Sequence, residues 1–214
     1  MKSLNQYIQE KLIINKDYKD VKMYHPKSFD ELRNIIEDRY KKLGPGTEQK
    51  PIDFNDIDVS NLDSFCHKDI GIFEETQFKY IDISDWDVSN ITDMSWMFFY
   101  CEELKSVGDI SYWDVSNVTS MSFMFDGCKS FNQDLSGWNV SNVIDMSGLF
   151  YGCESFNQDL SGWNVSNVTN MAYMFFYCKS FNQDLSGWDT SKVIYNNKIF
   201  ENCLIKNEYK PKFK

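Results

Sequence analysis

Five of the six cysteines recur at a nearly fixed interval, with steps of 27, 25, 25 and 25 residues. Thiolates bind zinc or act as nucleophiles, and pairs of thiols form disulfides. No C-x-x-C pair or neighbouring histidine accompanies them, which disfavours zinc, so we interpret them as small, buried, free core thiols. The five are Cys101, Cys128, Cys153, Cys178 and Cys203.

The two histidines, His25 and His67, both lie towards the N-terminus. Acid–base or nucleophilic catalysis needs a base held beside a nucleophile. Neither histidine falls beside a recurrent serine or cysteine, and no glycine-rich phosphate loop is present. The sequence therefore predicts no catalytic residues, no cofactor and no metal, and a chain that is not an enzyme.

Acidic and amide side chains also recur, at two places in each interval. A ladder of oxygen ligands makes a calcium-binding repeat one alternative. The glycine-rich signature of calcium-binding rolls is missing, which favours solvated, turn-forming side chains. The first set is Asp87, Asp114, Asn139, Asn164 and Asp189, and the second is Asp134, Asp159 and Asp184.

The five cysteines and the recurrent acidic and amide residues belong to one repeated unit, because five of the six tryptophans recur with the same steps as the cysteines. The best copies, residues 135–159 and 160–184, follow the pattern L-S-G-W-[DN]-V-S-N-V-x-x-M-x-x-[ML]-F-x-x-C-x-S-F-N-Q-D. A period of about 20–29 residues is typical of leucine-rich repeats. The tryptophans are Trp86, Trp113, Trp138, Trp163 and Trp188.

One unit illustrates the local structure that we expect. Leu135, Trp138 and Val140 have the spacing L-x-x-L-x-L, and their alternation predicts a short strand. Ser141 and Asn142 are residue types that begin helices. The apolar residues that follow at steps of three and four predict a short helix with one buried face. They are Val143, Met146, Leu149, Phe150 and Cys153.

The pattern L-x-x-W-x-V-x-x-V-x-x-M-x-x-M-F-x-x-C resembles the BspA-like leucine-rich repeat surface proteins, whose variant repeat occurs in mycoplasma lipoproteins, gut bacteria and their phages. The resemblance covers roughly residues 57–203. It implies an α/β solenoid, a right-handed leucine-rich-repeat-like coil with a short parallel β-sheet on one face and short helices on the other. We expect about six coils over residues 53–203, between a β-α cap at 1–52 and a basic C-terminal tail at 204–214.

The N-terminal residues carry their own signals. Apolar spacing predicts a helix over residues 3–14 and a short strand over 21–24. Ser28 has the spacing of a capping box and Gly44 is a typical terminator, which predicts a second helix between them. A strand near 53–59 would complete a right-handed β-α-β crossover.

The composition excludes some partners. The net charge of -10 disfavours nucleic acid, and no stretch reaches the roughly 18 apolar residues of a membrane span. The first residues lack the features of a signal peptide or a lipidation site. That favours a cytoplasmic or virion-associated protein, with a surface location only by another export route.

The copies differ from one another at outward positions, where aromatic residues are frequent. Exposed aromatic side chains are typical of protein interfaces and of sugar platforms. We favour a non-enzymatic protein-binding module, derived from a phage or a gut bacterium, and a monomer or a weak dimer through the end of the coil. A carbohydrate or cell-surface adhesin is the alternative function. For the aromatic residues themselves, the alternative to a contact surface is that some of them pack inward as ordinary core. The candidate contact residues are Trp96, Phe99, Tyr100, Phe123, Tyr151, Tyr173, Phe176 and Tyr177.

Overall fold

The computed structural model describes residues 24–213 of the 214-residue chain. This part of the chain contains one α-helix, α1 (Phe29–Leu43), and two sheets of two strands each. The strands are β1 (Ile52–Asp53), β2 (Cys66–His67), β3 (Ile70–Gly71) and β4 (Ile81–Asp82). Strand β1 pairs in parallel with β4, and β2 pairs antiparallel with β3.

Helix α1 forms between the two capping residues that predicted it. The Ser28 hydroxyl accepts a hydrogen bond from the backbone N–H of Glu31, which satisfies a donor that the first turn leaves free. Gly44 ends the helix at a φ of 75°, a conformation that glycine adopts without steric cost. Leu32 and Ile36 are buried, so one face of the helix packs on the core.

The remaining predictions for the N-terminal residues are met only in part. The helix predicted over 3–14 and most of the strand predicted over 21–24 lie outside the described residues. Near residues 53–59, strand β1 ends at Asp53 and pairs with β4, and beyond it a single parallel bridge joins Ile57 to Tyr24. The β-α-β crossover is therefore reduced, in the part that is described, to α1 and this bridge.

The prediction of an α/β solenoid of leucine-rich-repeat type is wrong. Residues 83–203 are all described, and they contain neither a helix nor a strand longer than one bridged residue. The only α-helix of the described part lies before the repeats. The expected faces of parallel sheet and short helices are therefore both missing.

Overlapping turns stand where the short helices were predicted. In the first clear copy, the N–H of Met97 donates to the Met94 carbonyl, and that of Cys101 donates to the Phe98 carbonyl. Within the first of these turns Trp96 has a φ of 62°, which a right-handed helix cannot contain. Steps of three and four residues place side chains on one side of consecutive turns as they do on a helix, so the spacing alone did not separate the two.

Alternate N–H groups of each turn region donate to the next repeat. The N–H of Trp96 donates to the Ser122 carbonyl at 3.0 Å, and that of Phe98 donates to the Met124 carbonyl at 2.9 Å. Parallel bridges continue from copy to copy along the chain. They join, in order, Ser64, Asp93, Ser120, Asp145, Asn170 and Tyr195.

Side chains connect the repeats where the strand at residues 138–140 was predicted. The indole N–H of Trp138 donates to the Ile110 carbonyl at 2.9 Å, and the Asn142 side chain donates to the Ser116 carbonyl at 2.7 Å. These bonds replace the backbone pairing of a sheet. The tryptophan, valine and methionine positions of the clear copies are buried together in one core.

The cysteines at 101, 128, 153 and 178 are buried and free, as interpreted from the sequence, whereas Cys203 is half-buried. Each buried thiol donates to a carbonyl of the preceding repeat, as Cys153 does to Phe125 at 3.0 Å. Burial raises the pKa of the Cys101 thiol to about 12. A thiol held in its neutral form is a poor nucleophile, which fits a core residue.

Residues of the C-terminal tail lie along the last repeat. The N–H of Leu185 donates to the Tyr209 carbonyl at 2.8 Å, and the Thr190 hydroxyl donates to the Lys212 carbonyl at 2.8 Å. A short 3₁₀ helix, Asn207–Tyr209, shapes this segment. The tail thus binds hydrogen-bonding groups of the last repeat.

Candidate binding surface

The eight aromatic residues predicted to contact a partner form two clusters, with a gap between them. We name them the first and second aromatic clusters. The first contains Trp96, Phe99, Tyr100 and Phe123, and the second contains Tyr151, Tyr173, Phe176 and Tyr177.

The first aromatic cluster is a continuous set of ring contacts. Trp96 stacks on Phe123 of the next repeat, with centroids 4.7 Å apart and planes 21° apart. The Trp96 ring meets Phe99 edge-on at 4.6 Å, and Phe99 contacts Tyr100 at 4.5 Å. Tyr100 is 46% exposed, and the other three are half-buried. The cluster therefore offers one tyrosine to solvent, supported by three rings.

The second aromatic cluster is also a continuous set of ring contacts with a partly exposed tyrosine. Tyr151 stacks on Phe176 at 4.8 Å, and Phe176 contacts Tyr177 at 4.7 Å. Tyr177 is 42% exposed, whereas Phe176 is only 8% exposed. Phe176 therefore supports the tyrosines and offers little surface of its own to a partner.

Several of these aromatic residues occupy left-handed backbone. Each repeat has two positions with a φ between 54° and 74°, and three of these positions hold glycine. A residue with a side chain costs about 1–2 kcal/mol more there than glycine does. Local backbone preference therefore does not explain the aromatic residues, and strained residues of this kind point towards function. The glycines are Gly127, Gly148 and Gly152, and the aromatic residues are Trp96, Tyr100, Phe123, Tyr173 and Tyr177.

A comparison of two substitutions tests this backbone cost. At Tyr177, with a φ of 59°, we expect the glycine variant to be more stable than the alanine variant by about 1 kcal/mol, because both lose the ring and only glycine relieves the strain. Urea denaturation of Tyr177→Gly and Tyr177→Ala measures the difference. At Tyr112, which lacks a positive φ, alanine should be at least as stable as glycine. If the glycine variant were more stable than the alanine variant at both positions, the left-handed backbone at Tyr177 would not be the cause of the difference.

The gap between the clusters is lined by small residues. An added Cβ on Gly148 would lie 2.3 Å from the Phe123 ring, so that ring occupies the space over the glycine. An added Cβ on Gly127 would lie 3.2 Å from Tyr100. Over Gly152 the closest atom to such a Cβ is the Gly127 Cα at 3.7 Å. No side chain therefore lies within 4 Å of that Cβ at Gly152, which stands between the repeats that carry Tyr100 and Tyr177.

A buried carboxyl stands beside this gap. Asp126 is only 6% exposed, and its Oδ1 has no hydrogen-bond partner among the described residues. Burial raises the pKa of this carboxyl to about 7. The equivalent places in the neighbouring copies hold Phe99 and Tyr151. Sequence reasoning missed this residue, although comparison of the copies shows the carboxyl in an aromatic position.

A cleft of 560 Å³ opens beside the first aromatic cluster. Tyr100 and Tyr40 contribute aromatic wall, and Glu75, Glu102 and Glu103 make the lining acidic. Glu103 lies 3.3 Å from Lys79, which also lines the cleft, and Glu102 lies 2.8 Å from Lys129. The surface around Tyr100 therefore combines rings with negative charge.

The recurrent carboxylates and amides have a structural role. The Asp114 carboxylate accepts hydrogen bonds from Ser116, and these lower its pKa. Asp159 binds the N–H of Ser161 in the same way. Side chains bonded two residues ahead stabilise turns. Within the described residues no group of three or more potential metal ligands comes together.

The two histidines have different surroundings. The ring nitrogen of His25 lies 2.9 Å from the Asp58 carboxylate at an exposed site, and His67 lies against the Phe29 ring at 5.9 Å. Over residues 24–213, no helix has the length and apolar character needed to cross a membrane.

Comparison with known proteins identifies the family of the chain. Residues 67–167 and 136–210 match the family described as "Mycoplasma protein of unknown function, DUF285". These matches together cover more than half of the chain, so the protein belongs to this family. No curated protein and no solved structure matches the chain.

Proposed function

We propose that the chain is a non-enzymatic binding module that holds a protein partner against its two aromatic clusters. Its resemblance to BspA-like surface proteins supports a role in contacting other molecules. The cores of protein interfaces are rich in tyrosine, tryptophan and phenylalanine, which bring large contact areas at a small cost in side-chain entropy.

One observation carries the proposal. Tyr100 and Tyr177 have φ values of 56° and 59°, and the two copies between them have glycine at the same place. The fold accepts glycine there, so the tyrosines are not needed to form the turn. They remain nearly half exposed, which is the arrangement expected of side chains kept for an external contact.

Affinity capture with matched variants tests the proposal. The full chain is immobilised as wild type and as the double variant Tyr100→Gly plus Tyr177→Gly, which copies Gly127 and Gly152. We expect the wild type to retain a protein from its native source and the double variant to retain about tenfold less, since truncating an interface aromatic costs more than about 1 kcal/mol.

The control is Tyr112→Gly. Tyr112 is the most exposed of the large hydrophobic residues, at 77%, and the equivalent place in the next copy is Gly137. This variant should retain the partner as the wild type does. Equal retention by all three chains would contradict the proposal. Binding of the wild type to a glycan array, with no protein retained, would favour the carbohydrate adhesin instead.

A further inference from the structure

We infer that the gap between the two aromatic clusters is a binding site for an ammonium group, namely a lysine side chain presented by the protein partner. This inference rests on the proposed function and names the chemistry of that partner. Its elements are the buried Asp126 carboxyl, the position over Gly152, where an added Cβ would meet only Gly127 backbone and no side chain within 4 Å, and the tyrosines on either side.

Three tyrosines and the Asp126 carboxyl lie near the Tyr151 phenol. Burial raises the pKa of the Tyr151 phenol, and the Asp126 carboxyl and the phenols of Tyr100 and Tyr177 raise it further. These groups therefore lie close enough to influence one another electrostatically. Tyr173 adds to the same effect, with its ring 6.5 Å from that of Tyr151. Four tyrosines and one carboxyl are thus neighbours beside Gly127 and Gly152.

This combination favours a cation. A buried carboxylate without a partner is unfavourable, and a positive charge nearby stabilises it. The faces of aromatic rings carry negative potential, and they attract ammonium groups within about 6 Å of the ring centre. The chain as a whole has a net charge of -10, which draws a cationic partner towards it.

Lysine fits better than arginine. A guanidinium group pairs best with a carboxylate that presents both oxygens along one edge. The Oδ1 atom of Asp126 is enclosed, so such a two-pronged contact is blocked. An ammonium group is compact and needs only the rings and the field of the carboxylate.

The proposed site should also show pH-dependent binding, because a proton on the Asp126 carboxyl competes with the ammonium group. The titratable groups near Asp126 are the Tyr151 phenol and the thiols of Cys128 and Cys153, and raised pKa values keep all three neutral below pH 8. The carboxyl itself has a pKa of about 7. Ammonium binding should therefore tighten as the pH rises from 6 to 8, because the proton leaves the site over that range.

NMR titration of the full chain with N-acetyl-lysine methylamide tests the inference. We expect saturable binding in the millimolar range that shifts the resonances of Tyr151 and Tyr177. Asp126→Asn should weaken this binding by about tenfold, in line with loss of a charged partner. Tyr177→Gly, which removes one wall, should also weaken it, and thermal unfolding confirms that each variant is folded.

Two controls show whether the binding depends on Asp126 and on the ammonium group. Asp114→Asn removes the same charge from an exposed position, and the next two copies already have Asn139 and Asn164 there. It should leave the affinity unchanged, and N-acetyl-norleucine methylamide, which lacks the ammonium group, should not bind. Equal affinity in Asp126→Asn, or tighter binding of the arginine analogue, would overturn the inference. Partner capture that persists in Asp126→Asn but fails in the double tyrosine variant would leave the proposed function intact.

Discussion

Asp126→Asn is expected to stabilise the protein at pH 8 by about 2–4 kcal/mol relative to the wild type, and to change its stability little at pH 4. The folded carboxyl has a pKa of about 7, against an ordinary value of 3.8. A raised pKa means that the folded state holds the proton more tightly than the unfolded chain does. The wild type therefore loses stability as the pH rises from about 4 to about 7, and the amide does not.

Urea denaturation of both chains at pH 4.5, 6 and 8 measures this difference. Asp114→Asn is the matched control, because hydrogen bonds from Ser116 lower the pKa of Asp114 below its ordinary value. A lowered pKa gives stability that is present above the ordinary value and is lost only as the pH falls below it. The stability difference between Asp114→Asn and the wild type should therefore stay constant between pH 5 and 8. If the stability differences of both variants from the wild type changed with pH by the same amount, Asp126 would not be the source.

The same residue relates stability to binding. A buried charge without a partner destabilises the folded chain, and a ligand that supplies the opposite charge recovers part of that loss. Asp126 stands where Phe99 and Tyr151 stand in the adjacent copies, so the fold does not require a carboxyl there. The loss of stability and the proposed ammonium site have the same physical origin.

The sequence predicted the interior well because side-chain burial follows directly from the repeat. Trp138, Val140, Met146 and Cys153 recur at fixed places, and each is buried. The helix between Ser28 and Gly44 was also predictable, because both signals act within a few residues of the chain. Features that depend on one short segment or on strict repetition could therefore be predicted from the sequence.

The backbone of the repeats was not predictable in the same way. The N–H of Trp96 donates to Ser122, in the next repeat, and no local pattern shows that such a bond replaces one within a helix. The glycines at 148 and 152 were the available signal, because they stand at left-handed positions. Other copies have aromatic residues at the same places, so the glycines alone did not indicate left-handed backbone there. The state of Asp126 also depended on neighbours that only the folded chain brings together.

Trp163→Phe is expected to cost about 2–3 kcal/mol of stability, whereas Trp113→Phe should cost about 1 kcal/mol or less. The two tryptophans are equally buried, at 4% and 5% exposure. The indole N–H of Trp163 donates to the Leu135 carbonyl at 3.0 Å. The N–H of Trp113 has no partner within residues 24–213. Phenylalanine therefore removes a hydrogen bond at one site and an unsatisfied donor at the other.

Both substitutions remove the same atoms, so the difference between them isolates the hydrogen bond. Trp113 follows the one step of 27 residues, where two extra residues separate it from Trp86. Two later tryptophans, Trp138 and Trp188, donate to carbonyls 28 residues earlier, so the irregular spacing coincides with the missing bond. Thermal and urea unfolding of the two variants measure the difference. Equal costs would mean that packing alone holds the tryptophans, and a larger cost at Trp113 would contradict a stabilising role for the indole hydrogen bond.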